Sequence, residues 1–149
     1  MQLTQHTEYA LRILIYLSLK EKETRSTISE IVDCFSLPKN HIIKIVHKLG
    51  KEGFIETTRG KGGGMWLKNS PEDIIIGDVV RKMEVNLELV NCEKPVCPII
   101  SVCELIHILN RAKDAFFQVL DLYTIADINQ KPEIMIKLLK IHKQSKYDI

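Results

Sequence analysis

The apolar positions in the first third of the chain recur with a helical period and predict three helices. Residues 7–20 are apolar on most sides, which is typical of a helix buried in a core. Thr27 and Glu30 have the spacing of a capping box and predict that a short second helix follows. Pro38 suits the first turn of a third helix over residues 38–51, because the N–H that proline lacks has no helical partner there. The apolar stripe of this third helix consists of Ile42, Ile45, Val46 and Leu49.

The face opposite this stripe is basic, and a glycine-rich hairpin follows it. Two helices joined by a turn of about three residues, the second with a basic face, are the sequence form of a helix-turn-helix. The β-prone runs 54–58 and 65–67 flank a tip over residues 59–64 and predict two strands. A hairpin in this place is the wing of a winged helix, and glycines at a basic tip let the backbone lie close to phosphates.

The second half of the chain predicts a short helix, a loop and a longer helix. Residues 76–83 form the short helix, with Val79, Val80 and Met83 inward, and residues 85–101 form the loop. From Cys103 onward the apolar positions have the spacing of a helix–helix seam over roughly three heptads. This seam consists of Leu105, Leu109, Ala112, Phe116, Val119 and Tyr123, broadened by Ile106, Ile108, Ala115, Leu120 and Leu122. So wide a stripe predicts packing against a second copy, with burial inside one subunit as the alternative.

These elements predict a mostly α-helical fold. A winged helix-turn-helix DNA-binding domain with a two-stranded wing spans residues 1–84, and a cysteine-rich loop spans residues 85–103. A long C-terminal dimerisation helix covers residues 104–128. The lysine-rich tail 129–149 has an amphipathic pattern, and its last residues are expected to fray.

Composition and charge narrow the function. Of the 149 residues 45% are apolar and 27% are charged, which is ordinary for one globular domain with an appended arm. No apolar run approaches the roughly 20 residues of a membrane span, and no signal peptide is evident, so we expect a soluble cytoplasmic protein without a membrane partner. Residues 39–68 hold seven basic and two acidic residues, whereas residues 71–149 have a net charge of −2. This confined basic patch predicts double-stranded DNA as a partner, with a solvated helix face as the alternative.

Three of the four cysteines fall within twelve residues. Because Cys92, Cys97 and Cys103 are odd in number and structural disulfides are rare in the cytoplasm, they predict metal ligation. Thiolates suit an iron–sulfur cluster or zinc. The spacings of four and five residues are longer than those of a zinc knuckle and favour a cluster, while His107 offers a fourth ligand for zinc. Cys34 is expected to be a small buried apolar residue.

The sequence does not indicate an enzyme. It lacks a phosphate-binding loop after a strand, clustered acidic pairs and a serine–histidine arrangement, and the glycine-rich run at 59–64 lacks the ending of a P-loop.

Several stretches together resemble one family of regulators. They are TEYALR at 7–12, PKNHIIKI at 38–45, RGKGG at 59–63, IGDVVRKME at 76–84 and LVNC at 89–92, followed by the cysteine loop. The combination is similar to the nitric-oxide-sensing branch of the iron–sulfur winged-helix regulators, over about residues 1–128. The resemblance implies a homodimeric transcriptional repressor with a 4Fe–4S or 2Fe–2S cluster on Cys92, Cys97 and Cys103. Reaction with nitric oxide would lower its DNA affinity and derepress nitrosative-stress genes; sensing of iron or redox status is the nearest alternative.

The resemblance also bears on the fourth cluster ligand. In this family it can be an aspartate from the N-terminal helix of the partner subunit, and Glu8 stands at the matching position. Other members use a histidine just after the third cysteine, one residue closer than His107 is here. We therefore expect Glu8 of the partner subunit, with His107 as the alternative. A Glu8 that merely stabilises the helix dipole is the third possibility.

The basic face and the wing supply the expected DNA contacts. Base edges are within reach of the first turns of the third helix, which carry Lys39, Asn40, His41 and Lys44. Phosphate contacts are expected from Lys48, Lys51, Arg59 and Lys61, with the wing backbone at Gly60 against the DNA. A dimer presents two such helices about one helical turn apart, so we expect an inverted-repeat operator.

Overall fold

The computed structural model describes residues 2–22 and 24–141, and within them the chain forms seven α-helices and one two-stranded sheet. The helices are α1 (Gln5–Ser18), α2 (Ile28–Phe35), α3 (Lys39–Lys51), α4 (Ile76–Met83), α5 (Leu105–Leu120), α6 (Ile125–Ile128) and α7 (Pro132–Leu138). Strands β1 (Ile55–Thr58) and β2 (Gly64–Leu67) lie between α3 and α4. None of the described helices is long and apolar enough to cross a membrane.

Local sequence signals set the first helix ends. The predicted capping box of α2 is confirmed: the Thr27 hydroxyl accepts from the backbone N–H of Glu30, and the Glu30 carboxylate accepts from that of Thr27. Ser36 then ends α2 in the left-handed conformation, at φ 53°. Pro38 is the N-cap of α3, so this helix begins one residue later than predicted.

The core lies among α1, α2, α3 and α4. The predicted apolar stripe of α3 is confirmed, since all four of its members are buried. Val79, Val80 and Met83 on α4 are buried as predicted, and Ala10, Ile13 and Leu14 of α1 complete the centre of this cluster. Because burial of each large apolar side chain contributes about 1.5–3 kcal/mol to stability, this cluster makes the main contribution to the stability of the DNA-binding domain.

The wing is an antiparallel hairpin with a register from Ile55 opposite Leu67 to Thr58 opposite Gly64. Ser26 extends it by one isolated bridge, exchanging backbone hydrogen bonds of 3.0 and 2.8 Å with Met65. At the tip, Gly60 and Gly62 have φ angles of 93° and 76°, which residues other than glycine rarely adopt. Backbone hydrogen bonds therefore connect the wing to the loop before α2, in addition to its connection along the chain to α3.

The C-terminal helix is shorter than the predicted 104–128. Helix α5 ends at Leu120, and a second capping box at Thr124 and Asp127 starts the separate helix α6. In this box the Asp127 carboxylate accepts 2.7 Å and 2.9 Å hydrogen bonds from the Thr124 backbone and hydroxyl. These bonds lower the pKa of the Asp127 carboxyl. The residues of this capping box are visible in the sequence, but the heptad spacing indicated one continuous helix across them.

The segment after α5 returns to the DNA-binding core. Ile125 and Ile141 are buried in the same cluster as α1, and the Asn129 amide donates to the Ser18 hydroxyl at 2.7 Å. The division at residue 128 remains a prediction, and the described part of the predicted tail, up to Ile141, lies against the first domain. The expected fraying concerns residues 142–149, which lie outside the described part of the chain.

Candidate DNA-binding surface and cysteine loop

The recognition face of α3 is open to solvent. Lys39, Asn40, His41 and Lys44 are all exposed, because the buried stripe holds the opposite side of the helix against α1 and α2. The predicted base-reading residues therefore share one accessible surface. Their contacts with bases remain a prediction.

Lys48 occupies a different environment from the other basic residues of α3. It is half-buried, and its Nζ donates to the Met83 carbonyl at 3.0 Å. Lys82 makes the reciprocal link, donating to the Glu52 carbonyl at 3.3 Å with its ammonium over the Phe54 ring. The two lysines therefore tie α3 to α4, and a phosphate contact by Lys48 would use its remaining donors.

His6 lies on the first turn of α1, near Lys48. Burial lowers its pKa, the nearby Lys48 ammonium lowers it further, and the Glu84 carboxylate opposes both. Its Nε2 atom is buried and has no hydrogen-bond partner within the described residues. The neutral imidazole is therefore the favoured form beside α3.

The wing tip presents Arg59, Gly60 and Lys61 to solvent. Arg25, which no sequence motif marks, contacts this tip: its Nη1 donates to the Gly62 carbonyl at 2.7 Å. The same guanidinium lies 5.6 Å from the centroid of the Trp66 ring on β2. Because 37 positions separate Arg25 from Gly62, no local sequence signal could have revealed this contact.

Cys92, Cys97 and Cys103 lie in the irregular segment that joins α4 to α5. All three are half-buried and unpaired, and the Cys97 N–H donates to the Cys92 carbonyl at 2.9 Å. A cavity of about 400 Å³ lies between this segment and α5 and includes Cys92, Ile100 and Leu109 in its wall. Of the three cysteines, Cys92 lines this cavity, and the donor chemistry of three thiols suits an iron–sulfur cluster.

The described part of the chain does not bring Cys92, Cys97 and Cys103 together into a metal site. Over residues 2–22 and 24–141, no three His, Cys, Asp or Glu side chains converge in a metal-binding arrangement. The Glu8 carboxylate is half-exposed on α1 and accepts a hydrogen bond from Arg12, one turn later. His107 is exposed on the first turn of α5. Neither candidate is fully buried, so Glu8 is available to a second subunit and His107 to its own cysteine segment.

Cys34 is separate from these three thiols. Its side chain is half-buried between α2 and the C-terminal segment, where Sγ donates to the Leu139 carbonyl at 3.4 Å. Burial raises the pKa of this thiol and disfavours the thiolate. Its surroundings agree with the expected packing role.

A bidentate ion pair joins α4 to the end of α5. Arg81 donates to both carboxylate oxygens of Asp121, at 2.7 and 2.6 Å, and its guanidinium lies 4.4 Å from the centroid of the Phe117 ring. The Ile76 N–H donates to the Tyr123 carbonyl and the Ile125 N–H to the Ile74 carbonyl beside it. We call this arrangement of Arg81, Asp121 and Phe117 the α4–α5 joint. It fixes the DNA-binding domain to the C-terminal end of α5.

The sequence identifies the family to which this architecture belongs. Residues 3–131 match the Rrf2 family, described as iron-dependent transcriptional regulators. The chain belongs to the Rrf2 family. It is 44% identical to the HTH-type transcriptional regulator NsrR of Bacillus subtilis (strain 168), over 95% of this chain and 99% of that regulator. It is 45% identical to NsrR of Geobacillus kaustophilus (strain HTA426), over 94% of this chain and 97% of that one.

Solved structures confirm the predicted winged-helix fold of this Rrf2 protein. CymR (YrzC), the global cysteine regulator of B. subtilis, has a TM-score of 0.68 and 26% identity, over 86% of this chain and 95% of CymR. IscR of T. potens has a TM-score of 0.69, over 91% of this chain and 90% of that one, and at 21% identity it supports the fold alone. The chain is thus a DNA-binding transcriptional regulator, in agreement with the expectation that it is not an enzyme.

The apolar seam of this Rrf2 regulator faces two directions. Leu109 and Phe116, which were predicted in the seam, are half-buried on the side of α5 that faces its own chain, where Phe117 is buried. Leu105, Val119 and Tyr123 are exposed as an interface requires. Ile108 and Leu122, expected only to broaden the seam, belong to its exposed part. The alternative of full burial within one subunit is therefore wrong.

Proposed function

We propose that this Rrf2 regulator is a homodimeric repressor that senses nitric oxide through an iron–sulfur cluster held by Cys92, Cys97 and Cys103. The observation that carries the proposal is the place of these thiols: they lie, unpaired and half-buried, in the segment that connects the DNA-binding domain to α5. Similarity to the NsrR regulators over almost the whole chain supports the same sensor class.

The thiol set suits a labile centre. Three thiolates leave one coordination position for a group other than cysteine, and when bound the cluster supplies iron that nitric oxide can attack at that position. The cavity beside Cys92 gives a small gas a route to the segment. The chain's own contribution is to hold the thiolates and to limit access to them.

Glu8 of the partner subunit is the proposed fourth ligand, and His107 is the alternative. The carboxylate of Glu8 stands on the first turn of α1, in the DNA-binding domain, so a bond from it would connect one subunit's sensor to the other subunit's DNA-binding domain. Arg12 competes for the same carboxylate. A cluster that used Glu8 as a ligand would have to replace this Glu8–Arg12 ion pair, so the ion pair would favour the state in which Glu8 is not a ligand.

DNA recognition then depends on the spacing of two α3 helices. In the dimer they enter successive major grooves about one helical turn apart, so the proposed operator is an inverted repeat in double-stranded DNA. Lys39, Asn40, His41 and Lys44 face base edges, while Arg59, Lys61 and the Gly60 backbone lie along phosphates. A change in subunit arrangement alters the spacing, lowers operator affinity and derepresses nitrosative-stress genes.

Anaerobic purification tests the cofactor directly. We expect a coloured protein that contains iron and sulfide in equimolar amounts and no zinc. The iron is bound through Cys92, Cys97 and Cys103. A colourless protein with one zinc per chain would establish the structural-metal alternative, in which His107 completes the site. A coloured protein whose operator binding follows iron supply but not nitric oxide would instead establish an iron-status sensor.

A further inference from the structure

One large apolar side chain stands on the basic face of α3. Ile43 is 44% exposed, and within residues 2–22 and 24–84 no other large apolar side chain is exposed. It lies outside the buried stripe of α3, whose four members hold the opposite side of the helix against the core. Packing of the core therefore does not account for an isoleucine at this position.

The neighbours of Ile43 on the surface of α3 are polar. In a helix the residues three before and four after a position share its face, and for Ile43 these are Asn40 and His47, both exposed. Lys39 and Lys44 add positive charge on either side. The apolar centre of a contact between proteins is depleted of charged residues, so this face does not have that composition. Nucleic acid is the partner that suits cations around one apolar group.

We propose that Ile43 contacts the C5 methyl group of one thymine in each operator half-site and thereby selects that base. This inference rests on the proposed entry of α3 into the major groove, and it adds the identity of one base pair. Among the four DNA bases, thymine alone presents a methyl group at its major-groove edge, and apolar side chains recognise it by contact.

The major-groove edges of the other bases explain the selectivity. Cytosine presents an amino group there, adenine an amino group and a ring nitrogen, and guanine two acceptors. Burial of such a polar group against Ile43 without a hydrogen bond costs free energy, whereas burial of a methyl group is favourable. The thymine O4 atom stays open to a donor, and Asn40 and Lys44 lie within one helical turn of Ile43. A thymine therefore satisfies both the apolar group and its polar neighbours.

The place of Ile43 along α3 also agrees with base contact. The N-terminal residues of a recognition helix are the ones that reach base edges. Helix α3 begins at Lys39, so Ile43 is its fifth residue and lies between the predicted base-reading residues His41 and Lys44. An isoleucine nearer the C-terminal end would face the sugar–phosphate backbone instead.

Replacement of thymine by uracil tests the proposal, because deoxyuridine lacks only the methyl group. An operator is first selected from random duplex DNA with the anaerobically purified wild-type protein. Each thymine is then replaced together with its symmetry mate, and binding is measured by fluorescence anisotropy. At one symmetric pair of positions the dissociation constant should rise about fifteenfold, from about fourfold for each methyl group. Ile43→Ala should bind the unmodified operator more weakly and lose this sensitivity to uracil.

Two further variants show whether the effect belongs to this side chain. Ile43→Val keeps a branched apolar side chain and should retain most of the sensitivity to uracil. Ile134→Ala is the matched control for loss of an exposed isoleucine, since Ile134 is 53% exposed on α7, outside α3 and the wing. It should bind every operator like wild type. Circular dichroism verifies that each variant is folded.

The outcomes separate this proposal from the proposed function. A selected operator in which no thymine responds to uracil would overturn the assignment of Ile43 and leave the proposed repressor intact. Equal sensitivity to uracil in Ile43→Ala and wild type would do the same, because another residue would then contact the methyl group. A wild-type protein that selects no operator from random DNA would contradict the proposed entry of α3 into the major groove as well.

Discussion

Asp121 occupies the space that a side chain at Gly77 would need. A Cβ atom built on Gly77 would lie 1.9 Å from the Asp121 Oδ1 atom and 3.0 Å from the Arg81 Nη1 atom. Gly77 is therefore the residue on α4 that permits the α4–α5 joint. The relationship links a single missing methyl group to the angle between the DNA-binding domain and the proposed dimer helix.

Gly77→Ala should disrupt the α4–α5 joint and weaken operator binding. The new methyl group must displace the Asp121 carboxylate, so the bidentate contact with Arg81 is lost and the angle of α5 is less restricted. Because alanine also favours the helix, the loss of the ion pair is measured against Gly50→Ala. We expect Gly77→Ala to be less stable than Gly50→Ala in calorimetry and to have a larger dissociation constant for an inverted-repeat operator in fluorescence anisotropy.

Gly50→Ala is the matched control. Gly50 lies in α3, and outside its own helix backbone and chain neighbours no atom lies within 4 Å of its Cβ position, so alanine should stabilise the helix by about 0.5–1 kcal/mol. Equal effects of the two substitutions on stability would show that the joint does not depend on Gly77.

The acid stability of the chain should contain a contribution from Asp121. Its hydrogen bond with Arg81 lowers the pKa of the carboxyl below the ordinary value of 3.8. A lowered pKa in the folded state stabilises the fold above pH 3.8 and loses that effect as the pH falls through the folded value. The difference in unfolding temperature between wild type and Asp121→Asn should therefore be constant from pH 5 to 8 and shrink below pH 4. A difference that grows on acidification would contradict this sign.

Lys61→Ala should weaken binding to all DNA sequences alike. Its ammonium is exposed at the wing tip, in the place proposed for a phosphate contact. Loss of one such contact should reduce the slope of log K against log salt by about one per subunit. Lys131→Ala, outside α3 and the wing, is the control for net charge. A loss confined to the operator would instead assign Lys61 to base recognition.

Arg25→Ala should loosen the wing without removing a predicted DNA contact. The Gly62 carbonyl loses its 2.7 Å hydrogen bond and the Trp66 ring loses the guanidinium above it. We expect faster proteolysis at the wing tip and weaker DNA binding, with partial recovery in Arg25→Lys, which restores a charge but not the planar donor. Unchanged proteolysis would show that the wing holds its shape without Arg25.

The sequence predicted those parts of the fold that depend on neighbours along the chain. The Thr27–Glu30 box, the α3 stripe and the two strands of the wing all follow from short spacings. The sequence did not predict which apolar positions of α5 face inward and which face outward. A heptad pattern does not show which side of the helix contacts the chain's own α4. Contacts such as Arg25 with Gly62 and Arg81 with Asp121 span 37 and 40 positions and carry no local signal.

The candidate site also contains residues that the sequence predicted and a feature that it did not. The three cysteines and the basic residues of α3 and the wing were recognisable from residue type and spacing, and the structure presents them as accessible groups. The fourth ligand was not, because the sequence offers both Glu8 of a partner subunit and His107, and the described residues of one chain do not form a metal site that would decide between them. One chain leaves Glu8 with Arg12 and His107 in solvent.

Titration of the anaerobic protein with nitric oxide, with operator binding measured at each addition, tests whether the three cysteines couple the gas to DNA binding. Wild type should bind the operator and release it as the gas is added, and Cys34→Ser should behave in the same way because its thiol is remote from the sensing segment. The triple variant C92S/C97S/C103S should lack the cofactor, and its operator binding should not change with nitric oxide. A triple variant that still releases the operator in response to the gas would contradict the account.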